Sequence, residues 1–181
     1  MPRNLEIKAR IADVAAARAV VQWLGARPAG ADEQVDTYYR IDRTDRLKLR
    51  TFGDGRAELI HYHRSEATGV RTSDYEVTPV RDGPTRSLLV PATDPVVVVR
   101  KHRELHWLDN VRVHLDTVEG LGTFIELEAV VDARHDENAC RQQIDRITVA
   151  LRLREEDLIR GSYADLLRAG ARLPAAERPA S

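Results

Sequence analysis

Asn4-Leu5-Glu6-Ile7-Lys8-Ala9-Arg10-Ile11 alternates polar and apolar residues without a break. This is the period-2 pattern of a β-strand, with Asn4, Glu6, Lys8 and Arg10 on one face and Leu5, Ile7, Ala9 and Ile11 on the other. One such strand alone reads as an ordinary sheet element with a solvated face. Later segments repeat the pattern with complementary charges. Arg46-Leu47-Lys48-Leu49-Arg50 sets three cations opposite two leucines, and Lys101 and Arg103 share a face. Arg112, His114 and Asp116 alternate with valine and leucine, and Phe124, Glu126 and Glu128 oppose Ile125, Leu127 and Ala129.

Between these strands the chain is punctuated. Asp13 caps a helix with apolar residues Val14, Ala17, Val20, Val21 and Leu24, stopped by Gly25 and Pro28. Asp36-Thr37-Tyr38-Tyr39 reads as a short β-prone segment. Gly53-Asp54-Gly55 predicts a hairpin, so Ala57 to Arg64 returns antiparallel, with Ile60, Tyr62 and Arg64 on one side and His61 and His63 on the other. Arg71 to Val80 is a further strand, and Pro84 to Val90 has room for a short helix. Val96-Val97-Val98-Val99 is a core segment that continues into the strand carrying Lys101 and Arg103, and Asp109-Asn110 marks the next turn. Asp136 or Asn138 starts a long helix to about Leu151 with the stripe Cys140, Ile144, Ile147 and Leu151. A last helix near Ser162 to Ala169 packs through Tyr163, Leu166 and Leu167. One domain is expected over residues 1–170, with the Ala/Pro-rich stretch 171–181 as a disordered tail.

The 181 residues fit a single domain able to bury a core. With 28 Lys plus Arg against 29 Asp plus Glu, the net charge of −1 gives no global field for nucleic acid or an anionic membrane. The single cysteine, Cys140, excludes an intramolecular disulfide, and no Cys/His set has zinc-ligand spacing. No run approaches the roughly 18 apolar residues of a membrane span, and a soluble cytoplasmic protein is the expectation.

Seven or eight strands joined mostly by tight turns predict an α+β fold, an antiparallel sheet closing into a barrel with helices outside. The leucine, isoleucine and valine faces then meet the helices, and the charged faces line the interior. Burying so many charges requires opposite charges or a ligand to compensate them. Glu6, Glu126 and Glu128 offer hard oxygen ligands suited to Mg²⁺ or Mn²⁺. Lys8, Lys48, Arg50, Arg64, Lys101, Arg103 and Arg112 outnumber them and suit phosphate oxygens. A metal-bound triphosphate matches both sets.

These motifs resemble the CYTH superfamily, the triphosphate tunnel metalloenzymes. Its N-terminal Glu-x-Glu-x-Lys stands here as Asn4-Leu5-Glu6-Ile7-Lys8, its basic pairs as Lys48/Arg50 and Lys101/Arg103, and its metal-binding Glu-x-Glu as Glu126/Glu128. Val118 to Glu128 is most similar to the class IV adenylyl cyclase-like branch. The resemblance implies an eight-stranded antiparallel tunnel, a small-molecule triphosphate substrate and a divalent ion on Glu6, Glu126, Glu128 and the position of Asn4. It implies a cradle of Lys8, Arg10, Lys48, Arg50, Tyr62, Arg64, Lys101, Arg103 and Arg112. Lys8, Tyr39, Tyr62, His114 and Asp116 are the candidates for catalysis, and the resemblance is compatible with a homodimer. Two residues depart from the pattern: Asn4 replaces a glutamate, and His63 stands beside Arg64 where the family often has a lysine. Cyclisation of ATP, hydrolysis of a triphosphate and binding without turnover all remain open at this point.

Overall fold

The computed structural model describes residues 3–41, 45–64, 70–81 and 95–172. The expected Pro84 to Val90 helix and residues 173–181 of the expected tail lie outside them. Eight strands form the closed order β1-β5-β4-β3-β2-β6-β7-β8. They are β1 (Arg3–Arg10), β2 (Arg27–Ile41), β3 (Asp45–Phe52), β4 (Ala57–Arg64), β5 (Arg71–Pro79), β6 (Val97–Leu108), β7 (Val111–Val118) and β8 (Gly122–Val130). Every neighbouring pair is antiparallel. The opening strand is the closure of the barrel: β1 pairs with β8 over Asn4 to Arg10 and with β5 over Arg3 to Glu6.

Among the described residues three α-helices pack around the sheet: α1 (Val14–Trp23), α2 (Glu137–Ala150) and α3 (Tyr163–Arg172). Asp13 caps α1 by accepting from the backbone N–H groups of Ala15 (2.7 Å) and Ala16 (3.1 Å), and Asp136 caps α2 through Ala139 N–H (2.8 Å). The buried apolar faces of α1 (Ala17, Val21) and α2 (Cys140, Ile144, Ile147) pack on Leu5, Ile7, Val111, Val113, Leu115, Ile125 and Leu127. Burial of side chains of this size contributes about 1.5–3 kcal/mol each. That core backs β1, β7 and β8 from outside and leaves their polar faces to the interior. Helix α3 takes another place. Tyr163 and Ala164 pack with Tyr38, Val99, Val118 and Phe124 across one end of the barrel.

One expected strand was read too short. The segment at Asp36 is part of a fifteen-residue strand, Arg27–Ile41, because Pro28 and Gly30 form an irregularity in the β2/β6 register at the rim instead of ending the strand. The hairpin at Gly53 to Gly55 forms as expected, with Gly55 at φ +88°, a left-handed position that favours glycine. Among the described residues no helix is long and apolar enough to cross a membrane.

Candidate active site

Alternation on β1 sends Asn4, Glu6 and Lys8 into the barrel, where each is at least nine-tenths buried. They line an internal cavity of about 510 Å³. Exposed residues Ala29, Gly30 and Arg56 form part of its lining, as do buried Ser162 and Tyr163 at the start of α3. The cavity also brings together Lys48, Arg50, Tyr62, Lys101, Arg103, Arg112, His114, Glu126 and Glu128, as the alternating pattern required.

The lining sorts into two groups. On β1, β7 and β8, Lys8 pairs with Glu126, whose other oxygen accepts from Arg103 Nη2 at 2.7 Å. Arg112 Nη2 lies 2.9 Å from Glu128, and Arg71 Nη2 lies 3.6 Å from Glu6. His114 Nδ1 is buried without a hydrogen-bond partner among the described residues, 3.7 Å from Glu126 and 4.0 Å from Glu128. Burial acts upward on the Glu126 carboxyl, but Lys8, His114 and Arg103 outweigh it and hold it well below the usual carboxylate range. Burial and the Arg103 charge lower the His114 imidazole, so it is neutral at neutral pH with a lone pair to offer.

On β2, β3 and β6 the balance is reversed. Asp36 accepts from Lys48 Nζ (2.9 Å), Lys101 Nζ (2.7 Å) and Arg50 Nε and Nη2 (2.7 and 2.9 Å). Burial raises its carboxyl, but Arg50, Lys101 and Lys48 together hold it well below its ordinary value. Burial is also the largest influence on the lysines, lowering Lys101 to about 7 and Lys48 to about 8.

A divalent ion fits the first group. Glu126, Glu128 and His114 each bring a ligand atom within 4.8 Å of the others, and the His114 nitrogen is otherwise unsatisfied. Expectation had put Asn4 and Glu6 there instead of His114. Glu6 stays adjacent, paired in register with Glu128. Asn4 is engaged elsewhere: with its amide turned to satisfy both neighbours, the nitrogen donates to Ser73 O and the oxygen accepts from Arg112 Nη2, both at 3.1 Å.

Three further expectations are corrected. Tyr39 packs on the outside with Leu59 against Leu49, Ala57 and Val80, because alternation turns its neighbour Tyr38 inward. Arg10 is exposed at the end of β1, with its guanidinium 4.9 Å over the Phe124 ring and Nη1 donating to Leu121 O at 2.9 Å. Asp116 is no free base. It is fully buried, bound by Arg103 (2.7 and 2.5 Å) and by Tyr163 Oη (2.6 Å), and Arg103 outweighs burial to hold it at about 2. Arg64 ends β4, and its side chain lies outside the described part.

Sequence reasoning missed Asp36 and Tyr163. For Asp36 a signal existed, since Asp32, Gln34, Asp36 and Tyr38 share the inward parity of β2. For Tyr163 none did: its role follows from where α3 docks, with the Lys8 ammonium 4.1 Å over its ring.

The sequence matches the CYTH domain over residues 2–163. A Methanocaldococcus jannaschii protein, MJ0240, described as a candidate adenylate cyclase, is 32% identical over 68 residues, a match covering 38% of this chain and 39% of that protein's length. The solved structure of the PH1012 protein from Pyrococcus horikoshii superposes with a TM-score of 0.78 at 23% identity, covering 90% of this chain and 98% of the other. HpAC1 from Hippeastrum, described as a candidate adenylyl cyclase with a dominant triphosphatase activity, superposes at 0.61 with 14% identity, covering 97% and 100%. The structural likenesses speak to the tunnel fold, the match to the domain spans most of the residues that build it, and on that ground the chain belongs to the CYTH family.

Proposed function

We propose that this chain is a divalent-metal-dependent enzyme that takes a nucleoside triphosphate into the tunnel and converts ATP to cyclic AMP and pyrophosphate. The observation that carries this reading is the pairing of a carboxylate and imidazole cluster (His114, Glu126, Glu128) with a cation cluster (Lys48, Arg50, Lys101) around one cavity. Mg²⁺ or Mn²⁺ held by His114, Glu126 and Glu128, with Glu6 beside them, supplies charge neutralisation on the phosphate oxygens. Lys48, Arg50 and Lys101 bind phosphate oxygens with the donors that Asp36 leaves over, and Arg103 and Lys8 hold Glu126 in place. Tyr163, whose hydroxyl burial and the Asp116 and Glu126 charges keep protonated, lines the cavity with the Lys8 ammonium over its ring. In cyclisation the ribose 3′-hydroxyl attacks the α-phosphorus and gives up its proton to water, the bond from that phosphorus to the bridging oxygen breaks, and pyrophosphate leaves with that electron pair.

Hydrolysis of a terminal phosphate by water is the second reading. It is favoured by the dominant triphosphatase activity described for HpAC1, and it uses the same cradle. The separating experiment incubates purified protein and Mg²⁺ or Mn²⁺ with ATP, tripolyphosphate or thiamine triphosphate and identifies the products. Cyclic AMP with pyrophosphate supports the first reading. Inorganic phosphate replaces it with the second, and binding without turnover sinks both.

A further inference from the structure

Asp36 sits on β2 between β3 and β6 and is 2% exposed. Three cations converge on it: Lys48 and Arg50 from β3 and Lys101 from β6, at 2.7 to 2.9 Å. The register explains the convergence. Asp36 faces Arg50 directly across the β2/β3 pair, while Lys48 and Lys101 stand beside Tyr38 and Gln34, one inward position away on either side. The carboxylate accepts from all three side chains, and each retains donors while lining the cavity. One negative charge among three positive ones leaves an excess that an anion in the cavity can match.

We propose that Asp36 is a positioning residue that gathers Lys48, Arg50 and Lys101 into one clamp for a single phosphate group of the substrate. The proposal rests on the triphosphate reading of the tunnel. Long lysine stems order poorly by themselves, and like charges drive them apart. A buried carboxylate at their meeting point fixes them before the ligand arrives, so binding loses less side-chain freedom. Charge counting alone predicts the opposite sign for a neutral replacement, which would add net positive charge and strengthen anion binding.

The groups facing the two lysines are Asp36 and Tyr38 from β2, Arg50 from β3, Tyr62 from β4 and Arg103 from β6. Asp36 is the carboxylate that keeps both lysines charged against burial, so its loss discharges them at lower pH. A purely structural ion cluster would change stability and leave the pH profile of binding untouched.

The test titrates tripolyphosphate, without metal, into the full chain and into Asp36→Asn and Asp36→Glu by calorimetry from pH 6 to 9, with circular dichroism to establish folding. Wild-type affinity should fall as pH rises above 7. Asp36→Asn should bind about 30-fold more weakly at pH 8, the loss typical of a broken buried charge pair, with its decline beginning at lower pH. Asp36→Glu keeps the charge but displaces the clamp by one methylene, so it should lose about fivefold with an unchanged pH profile, a loss of about 1 kcal/mol. Equal or tighter binding by Asp36→Asn overturns the proposal. Should that variant not fold, wild-type affinity in Asp36→Glu overturns it equally. Failure of the wild type itself to bind tripolyphosphate removes the triphosphate reading and the clamp with it, and is told apart because it needs no variant.

Discussion

The two walls of the tunnel are written in the same alternating pattern, yet they carry opposite balances. Across β1, β7 and β8 and their neighbours, Glu6, Asp116, Glu126 and Glu128 meet Arg71, Arg103, Lys8 and Arg112 in ion pairs, so charge is compensated within the wall. Across β2, β3 and β6 one carboxylate, Asp36, serves Lys48, Arg50 and Lys101. The first wall is also the one backed by the core under α1 and α2. A balanced, buttressed wall suits a cation that demands fixed ligands, and a wall with positive excess suits a polyanion. Burial alone does not distinguish them, since the side chains of both are largely buried; the count of partners does.

The harshest way to break this contrast is Glu126→Gln. It removes a ligand atom from the three-residue cluster, takes from buried Lys8 the carboxylate it pairs with, and leaves Arg103 to Asp116 alone. Turnover should drop at least ~1,000-fold, and Lys8→Ala should be comparably severe, measured as product formation against a Mg²⁺ or Mn²⁺ titration with folding checked by circular dichroism. Near-normal rates in both variants would sink the metal-wall assignment. On the other wall, Arg50→Lys removes the fork that grips Asp36 with two nitrogens. Here KM should rise about tenfold with kcat within about threefold, the pattern of lost uniform binding. If kcat instead collapsed as for Glu126→Gln, the two walls would not divide the work.

The barrel itself was legible because alternation is a local property: Asn4 to Ile11, Arg46 to Arg50 and Thr123 to Val130 each declare which side chains share a face. Partner choice was not. Nothing in the local pattern says that Asp116 is locked by Arg103 and Tyr163, because those contacts join β7 to β6 and α3 and depend on barrel register. Asp36 escaped for a different reason. Pro28 reads as the stop of the first helix and the strand as beginning only at Asp36, so the inward parity running through Asp32, Gln34 and Asp36 goes unused. Tyr39 failed by one residue of phase, and a one-residue slip moves every side chain to the opposite face.

Asn4→Glu sharpens the edge of the metal wall. Asn4 now ties Ser73 O to Arg112, which also meets Glu128 and the Tyr75 hydroxyl. A carboxylate there takes up the Arg112 charge and frees Glu128 toward the cluster. The metal concentration for half-maximal turnover should fall about threefold, on the order of 0.6 kcal/mol; an unchanged value would show that Arg112 does not couple the two positions.

The remaining effect expected is on stability, not turnover, and it comes from the cation-rich wall. Lys101 and Lys48 are lowered to about 7 and 8 in the folded chain, burial being the main cause, against an ordinary value of 10.5. Between those folded values and 10.5 the unfolded chain therefore binds more protons than the folded one. Stability must rise with pH wherever the unfolded state holds the extra protons. The ligand-free protein should gain on the order of ten degrees in Tm from pH 7 to pH 9 at constant ionic strength, because discharge of the two lysines in the folded state alone contributes about 3–4 kcal/mol over that window, at about 2–4 °C per kcal/mol in a domain of this length. Saturating tripolyphosphate holds both lysines charged in the folded state and should remove the rise or reverse it. Lys101→Met should reduce it, because one of the two discharging groups is gone. The balanced wall predicts no counterpart in this window: Asp116, at about 2 when folded against 3.8, contributes stability that is lost only as pH falls from about 4 toward 2. Scanning calorimetry of the ligand-free protein from pH 2 to 9 thus reads the two walls separately, and a Tm flat from pH 7 to 9 would mean that Lys48 and Lys101 are not the strained cations that the contrast requires.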